Sequence, residues 1–486
     1  MLQTFFNALT TKTAQLMEPF SSRSNSQQAA SIAPADPCNL RILIVAEHAS
    51  MRFGGEATLP LHYFRILRQR GIEAWLVVHE RTRDELMDSF AEDSDRIYFT
   101  PDTAVHRALY STSQYLPRAI FAMTCGFAMQ LLTQIYQRRL SREIVKSQRI
   151  DLIHQPICVS PRTPSLIYGM GVPVVMGPMN GGMTYPPGFQ HMQSRAVRLS
   201  VYLGRLLSNV LNALIPGKRL ADILLVANQR TRNALPTGIQ GQVIELVENG
   251  VDISLWKPKL FNPSMLKSPT PESAVTRFVF MGRLVDWKGV DLLLRALKKV
   301  LEQTPAKLEI IGEGPDRAAL EQLAQELGMM GHTTQDNLKD SEGDRTSDRA
   351  AVQFIGWLSQ AECAQRLQHA DVLVLPSLFE CGGAVVLEAM TVGLPVIATS
   401  WGGPIDYVNE QSGVLIAPTS QADFIEDLAD AMIKLAKSPI LRKQMGQAGR
   451  QQVLERFDWE KKIDDILQVY AEVTRSFSPA NTLCDR

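Results

Sequence analysis

Cysteine is scarce in this chain and never closely paired. Six thiols (Cys38, Cys125, Cys158, Cys363, Cys381, Cys484) are scattered over 486 residues with no C-x-x-C pair. That argues against a disulfide framework or a thiolate zinc site and fits a reducing cytosol. Net charge is also missing. The 50 Lys+Arg balance 50 Asp+Glu, so the basic footprint of a dedicated nucleic-acid binder is not there. No basic–apolar–small leader opens the sequence. No His/Cys/carboxylate set stands at metal-ligand spacing. There is no G-x-S-x-G elbow and no Walker A run. A G-x-G-x-x-G fingerprint is absent after the first apolar segment. The expectation is a cytoplasmic protein with no metal, no cofactor and no nucleic-acid partner.

What is present is the composition of a folded protein, 45% hydrophobic and 21% charged, long enough for two or three domains. Residues 1–37 are polar and Ser/Gln/Ala/Pro-rich after a short amphipathic start, and read as a flexible N-terminal segment. Short apolar runs then recur as strands at 41–46, 74–78, 151–154, 172–177, 222–227 and 243–247, with helical stretches between most of them. Four prolines mark 256–275 as a linker. A second series follows at 277–281, 307–311, 352–355, 371–375, 394–398 and 414–416, interrupted by a polar insertion at 331–350. This alternation predicts an α/β protein of two Rossmann-like, doubly wound parallel-sheet domains facing a cleft. The expected divisions are a first domain at 38–255, a second at 276–450, and a C-terminal helix and tail at 451–486.

The candidate chemistry falls at strand ends, where such sheets bind ligands. The fullest case is the run Pro376 to Met390, in which Glu380 and Glu388 bracket a Gly-Gly turn and a helix start. The backbone N–H groups of Gly382, Gly383 and Ala384 have no intrahelical partner there. Carboxylates that accept from hydroxyls and a helix N-terminus that favours anions suit a polyhydroxylated ligand bearing a diphosphate. Gly282 to Gly289 leads into an amphipathic helix with Arg283 at the strand end and Lys288 at the helix start. A cation opposes the helix macrodipole there unless an anion lies between. Gly312-Glu313-Gly314-Pro315, Gly54-Gly55 and His154-Gln155-Pro156 follow other strands. Each also has a plainer reading: surface charges, ordinary turns, a satisfied structural histidine. Asp93-Ser94-Asp95 has the form of a metal-binding carboxylate pair, but its acidic surroundings read as a solvated turn.

Together these motifs resemble glycosyltransferase family 4, retaining enzymes of the GT-B fold. The resemblance spans roughly residues 40–475. It rests on Glu380-x7-Glu388, on Gly282-Arg283-Leu284 with Lys288-Gly289, and on Gly312-x-Gly314-Pro315. Asn249-Gly250-Val251-Asp252, Gly54-Gly55 and His154-x-Pro156 complete it. It implies transfer of a sugar from a nucleotide-diphosphate sugar to an acceptor hydroxyl, in polysaccharide or glycolipid synthesis. Arg283 and Lys288 would neutralise the diphosphate, Glu388 would hold the ribose, and Glu380 the transferred sugar. Gly382, Gly383 and Ala384 would offer N–H groups, Gly312 and Gly314 would contact the nucleoside, His154 would touch the sugar, and Gly54 and Gly55 the phosphate. No metal is implied. The alternatives are a nucleotide-sugar epimerase and a catalytically silent glycan-binding or scaffold protein. The chain departs from the family at Cys381-Gly382-Gly383, where a phenylalanine is more usual, and at Asp406, where a glutamate is.

Two segments suggest a cytosolic membrane face. Ala119 to Tyr136 carries no charge over 18 residues, at the short limit of a membrane span. In 195–219, Arg198, Arg205, Asn212 and Arg219 recur every seven residues opposite Leu203, Leu207, Val210, Leu211 and Leu214. A basic face with an apolar back suits peripheral contact with an anionic bilayer that carries a lipid-linked acceptor.

Overall fold

In the first strand, Ile42, Leu43, Ile44 and Val45 are all fully buried, as a strand covered by helices on both faces must be. The computed structural model describes residues 39–52, 55–116, 121–157, 159–193, 195–258, 275–330 and 350–477. The expected N-terminal segment, Gly54, most of the linker and nearly all of the 331–350 insertion lie outside the described residues.

Two wholly parallel sheets result. The first contains β1 (Arg41–Val45), β2 (Glu73–His79), β3 (Ile97–Thr100), β4 (Leu152–Gln155), β5 (Val174–Met179), β6 (Ile223–Val226) and β7 (Gln242–Glu245). Their order is β3-β2-β1-β4-β5-β6-β7. The second contains β8 (Thr276–Met281), β9 (Ala306–Ile311), β10 (Val352–Gly356), β11 (Val372–Leu375), β12 (Val396–Thr399) and β13 (Gly413–Ile416). Their order is β10-β9-β8-β11-β12-β13. Each sheet reverses direction once, between β1 and β4 and between β8 and β11. A crevice opens at such a reversal, at the carboxyl ends of the strands. The loops after these four strands carry most of the motifs read from the sequence.

The helices that matter for the site are α1 (Gly55–Gln69), α2 (Ala104–Ser111), α3 (Phe127–Ser147), α4 (Arg195–Leu214), α5 (Val290–Leu301), α6 (Ala384–Val392) and α7 (Trp459–Ser476). No described helix is long and apolar enough to cross a membrane. Within the uncharged run 119–136, residues 127–136 form the start of α3. Gln134 and Gln137 of that helix are buried and donate to the Pro164 and Ala46 carbonyls, and such bonds suit a helix packed on protein.

The domain division needs one correction. The last helix does not form a separate C-terminal piece: Trp459, Ile463, Ile466, Tyr470 and Val473 of α7 sit in the core of the first domain. The chain crosses between domains twice at one place. Val251 N–H donates to Phe457 O at 2.9 Å, and Trp459 N–H donates to Val251 O at 3.2 Å. Arg70 of the first domain then clamps α7 through Glu460 and Asp464, each at 2.6 Å. The apolar spacing of α7 marks a buried face in the sequence but carries no sign of which domain receives it.

Candidate active site

A cleft of about 1710 Å³ runs between the two sheets. Its walls include Gly55 and Glu56 at the start of α1, Asn180, and Glu248 to Asp252 of the crossover. Gly282 and Lys288 follow β8, and Glu380 to Val385 with Glu388 complete the far side. Two helix N-termini, those of α1 and α6, thus open on one cavity.

The turn before α6 is shaped by glycine. Gly383 caps the helix at φ 79°, ψ 50°, a left-handed conformation that glycine adopts without a Cβ clash. Gly382 permits a close approach: a Cβ there would sit 2.6 Å from Glu248 Oε1. The first N–H groups of α6 are left without intrahelical carbonyls and face the cavity as an anion site. Lys288 reaches across from the loop after β8 and pairs with Glu380; both side chains are largely buried. This pairing was not read from the sequence, which gave the two residues separate tasks. The positive charge near the anion site is therefore held in reserve by a carboxylate of the same site.

Glu388, a turn into α6, is half-buried in the cleft wall. Removal from water pushes its carboxyl up to about 7, because burial disfavours the charged form. Burial likewise pushes the Cys381 thiol up to about 11, so it stays a neutral thiol beside Glu380 rather than a nucleophile.

Several expectations are corrected. His154 does not reach the cleft. It is fully buried in β4, its Nε2–H donates to Gly177 O at 2.6 Å, and its Nδ1 accepts from the Tyr470 hydroxyl at 2.7 Å. Burial lowers its pKa to about 4, and both nitrogens are committed. It is a structural pin between β4, β5 and α7. Gly312 and Gly314 are also off the cleft wall. A Cβ at either would collide with the backbone carbonyls of Gly282 and Leu284, so they allow the loops after β8 and β9 to pack together. Arg283 is exposed and does not line the cavity. Asp93 is not a free solvated turn: Arg68 Nε donates to it at 2.8 Å. Asp406 accepts from Asn228 Nδ2 at 2.8 Å across the domain boundary.

Sequence reading places the Gly177–Gly182 loop at a strand end but gives no role to its Asn180, nor to Glu56 and Glu248. Asn180 stands in a glycine-rich loop at a strand end, and Glu248 immediately precedes the Asn249-Gly250 junction. Those neighbours were the available signal.

Among the described residues one group has metal-like composition, His79, Asp102 and His106, and it lies away from the cleft. It does not fit a cation well. His79 Nδ1 accepts from the Arg81 backbone N–H at 3.3 Å and from Arg81 Nε at 3.2 Å. The imidazole proton is therefore on Nε2, the nitrogen that would have to bind the ion.

Residues 275–438 match the family model described as "Glycosyl transferases group 1". A D-inositol 3-phosphate glycosyltransferase of Nocardioides is 30% identical over 239 residues, covering 47% of this chain and 48% of that protein. A GDP-mannose-dependent monoacylated alpha-(1-6)-phosphatidylinositol monomannoside mannosyltransferase of Corynebacterium glutamicum is 26% identical, covering 53% of this chain and 66% of its own. The chain spans about half the length of the first curated relatives it matches. Among solved structures, Anabaena HepE in complex with UDP superposes with a TM-score of 0.56 at 17% identity, covering 89% of this chain and all of that one. With two parallel sheets facing a cleft at their reversal points, the chain has the GT-B fold, and its residues 275–438 match a glycosyl transferases group 1 domain.

Proposed function

We propose that this protein moves a sugar from a nucleotide-diphosphate sugar to an acceptor hydroxyl with retained anomeric configuration, without a divalent cation or other cofactor. The observation that carries the reading is the set on one wall of the cleft: the α6 N-terminus, Lys288 paired with Glu380, and Glu388. Bond cleavage at the anomeric carbon leaves charge on the diphosphate. Fixed N–H dipoles and a cation aimed at that charge stabilise it without reorganising at the moment of reaction. The diphosphate competes with Glu380 for Lys288, and the released Glu380 carboxylate then accepts from the sugar hydroxyls. Glu388 takes the ribose. The experiment is a panel of nucleotide sugars screened by thermal shift. One or more donors should raise the melting midpoint. A flat response to the whole panel overturns the reading.

The Glu388 carboxyl makes donor affinity pH-dependent. Its ligand-free pKa of about 7 lies above the ordinary carboxylate value, so it is protonated below that pH and a charged acceptor above it. Charge-assisted hydrogen bonds are the stronger ones. Nucleoside diphosphate should therefore bind roughly three- to tenfold more weakly at pH 6 than at pH 8 on account of this group. In Glu388→Gln, affinity should be low and that component of the slope gone. Calorimetry of both proteins at the two pH values isolates it from the phosphate's own titration. Equal slopes contradict the assignment.

The acceptor we assign is lipid-linked and presented at an anionic membrane surface, and α4 supplies the contact. This helix is amphipathic with the reverse of the usual orientation. Its polar side faces the protein: Asn212 is fully buried and donates to Arg162 O at 2.8 Å, and the Ser208 hydroxyl donates to the same carbonyl. Its apolar side faces out, with Leu206, Leu207, Val210 and Leu214 all exposed, the last by 73%. This corrects the sequence-based basic face at Asn212; the Arg198 side chain lies outside the described residues. Arg205 is exposed on the same helix, and Ile135 of α3 adds a further exposed apolar residue. A row of outward leucines beside Arg205 suits insertion at an anionic lipid interface. The wild type should sediment with vesicles containing phosphatidylglycerol at low salt, and Leu207→Asp with Val210→Asp should remain in the supernatant. Equal sedimentation of the two sinks the assignment.

A further inference from the structure

The loop after β5 continues as an arm that reaches the second domain. Phe189, near the end of the arm, is 2% exposed within the second domain's core and lies edge-on to Phe424, with ring centroids 6.0 Å apart. Tyr185 packs on Phe379 at 5.3 Å, and Trp401 Nε1 donates to Thr184 O at 2.8 Å. The root of the arm is Asn180, the residue after β5, buried on the cleft wall. Its amide is fully committed on the nitrogen side. Nδ2 donates to Glu248 Oε1 at 2.7 Å and to Cys381 O at 2.8 Å, and an amide nitrogen has only two protons to give. On the other side Oδ1 accepts from Arg230 Nη2 at 3.0 Å. Arg230 thereby decides which way the amide faces.

Cys381 O belongs to the peptide that carries the Gly382 N–H. In this planar trans peptide the carbonyl and the N–H point opposite ways. Holding the oxygen therefore fixes the direction of the Gly382 N–H. The turn has little rigidity of its own, because Gly382 and Gly383 lack the Cβ that restricts backbone rotation. The carbonyl one residue earlier, Glu380 O, is held from within the second domain by the Gly403 N–H at 2.8 Å. The Cys381 carbonyl is held from the first domain. The approach to α6 thus takes its shape from both domains.

We infer that Asn180 is a positioning residue for the anion site. It acts through the Cys381–Gly382 peptide, and the turn keeps its diphosphate-binding shape only while Asn180 holds that carbonyl. The inference rests on the donor reading given above. With both Nδ2 protons used, Asn180 makes no bond to the ligand itself. Its effect passes through the turn, whose N–H groups serve an anion only when their neighbours hold them to a narrow tolerance.

The test is calorimetry of the full chain with UDP, GDP and ADP, beside thermal midpoints, on the wild type, Asn180→Ala and Tyr407→Phe. Tyr407→Phe removes the 2.9 Å bond from Asn249 Nδ2 to the Tyr407 hydroxyl at the same junction and leaves the Cys381 carbonyl held. Asn180→Ala should bind nucleoside diphosphate about ten- to thirtyfold more weakly, the scale of one lost hydrogen bond to a charged group. Tyr407→Phe should stay within about twofold of wild type, whatever its midpoint, because no bond to the turn is lost. Should Asn180→Ala fail to fold, Arg230→Met carries the comparison. It leaves the asparagine in place but frees its amide to turn, and a loss of about threefold or more is expected. Diphosphate affinity within about twofold of wild type in the variant that folds, however far its midpoint falls, overturns the inference and leaves the donor reading standing. An equal loss in Tyr407→Phe also overturns it, since any bond at the junction would then serve. Binding of none of the three nucleotides by the wild type overturns the donor reading and this inference with it.

Discussion

Lys288→Ala is expected to lower kcat/KM for the nucleotide-sugar donor by about a hundredfold. The substitution removes the cation beside the α6 N-terminus, and a charge-assisted hydrogen bond to a phosphate is worth about 1.5–3 kcal/mol. It also leaves Glu380 unpaired in a largely buried position, where its charge repels the incoming diphosphate. Lys288→Arg should retain part of the activity, because the charge stays but the shape changes. The pairing of Lys288 with Glu380 adds a second expectation. Glu380→Gln should bind free nucleoside diphosphate at least as tightly as the wild type, since Lys288 is released, while turnover falls because a sugar contact is lost. Steady-state kinetics and calorimetry on the three variants decide this. Lys288→Ala within threefold of wild type, or a larger binding loss in Glu380→Gln than in Lys288→Ala, contradicts the pairing as the functional unit.

Gly312→Ala should be the most damaging substitution for stability among those considered. Gly312 has φ 138°, a region that side chains rarely adopt, and its added Cβ would run into the Gly282 carbonyl. Backbone strain and the clash together should destabilise the second domain by about 3 kcal/mol. That corresponds to a thermal midpoint lower by roughly 6–12 °C for a domain of this size. A midpoint within 2 °C of wild type, against that roughly 6–12 °C expectation, would mean the two loops can part freely. Because Gly312 lies off the cleft, donor affinity of the folded fraction should change little, which separates packing from a direct nucleoside contact.

Most of the fold was legible because its signal is local. Runs such as Ile42 to Val45 or Val372 to Leu375 are uniformly apolar, as doubly covered parallel strands are. The expected strand ends fall within about two residues of the observed ones, the ordinary uncertainty of such boundaries. The turn before α6 was legible for the same reason, since two glycines between a strand and a helix mark a turn that needs backbone conformations closed to other residues. What could not be read was long-range. Tyr470 and His154 are 316 residues apart, and nothing near either residue announces their bond. His154 at a strand end looked the same as a ligand-facing histidine would. The pairing of Lys288 with Glu380 across 92 residues was hidden likewise. On α4 the periodicity of leucines was plain, but periodicity marks two faces without saying which is buried. Ser208 and Asn212, bonded to Arg162, decided it.

The central claim, cleavage of a nucleotide-diphosphate sugar in this cleft with retention, is tested most directly by proton NMR during turnover of a donor selected from the panel. The anomeric coupling of the transferred or released sugar should match that of the donor, with nucleoside diphosphate appearing in step and Lys288→Ala nearly silent. A product of inverted configuration, or no cleavage of any donor by the wild type, would contradict the account.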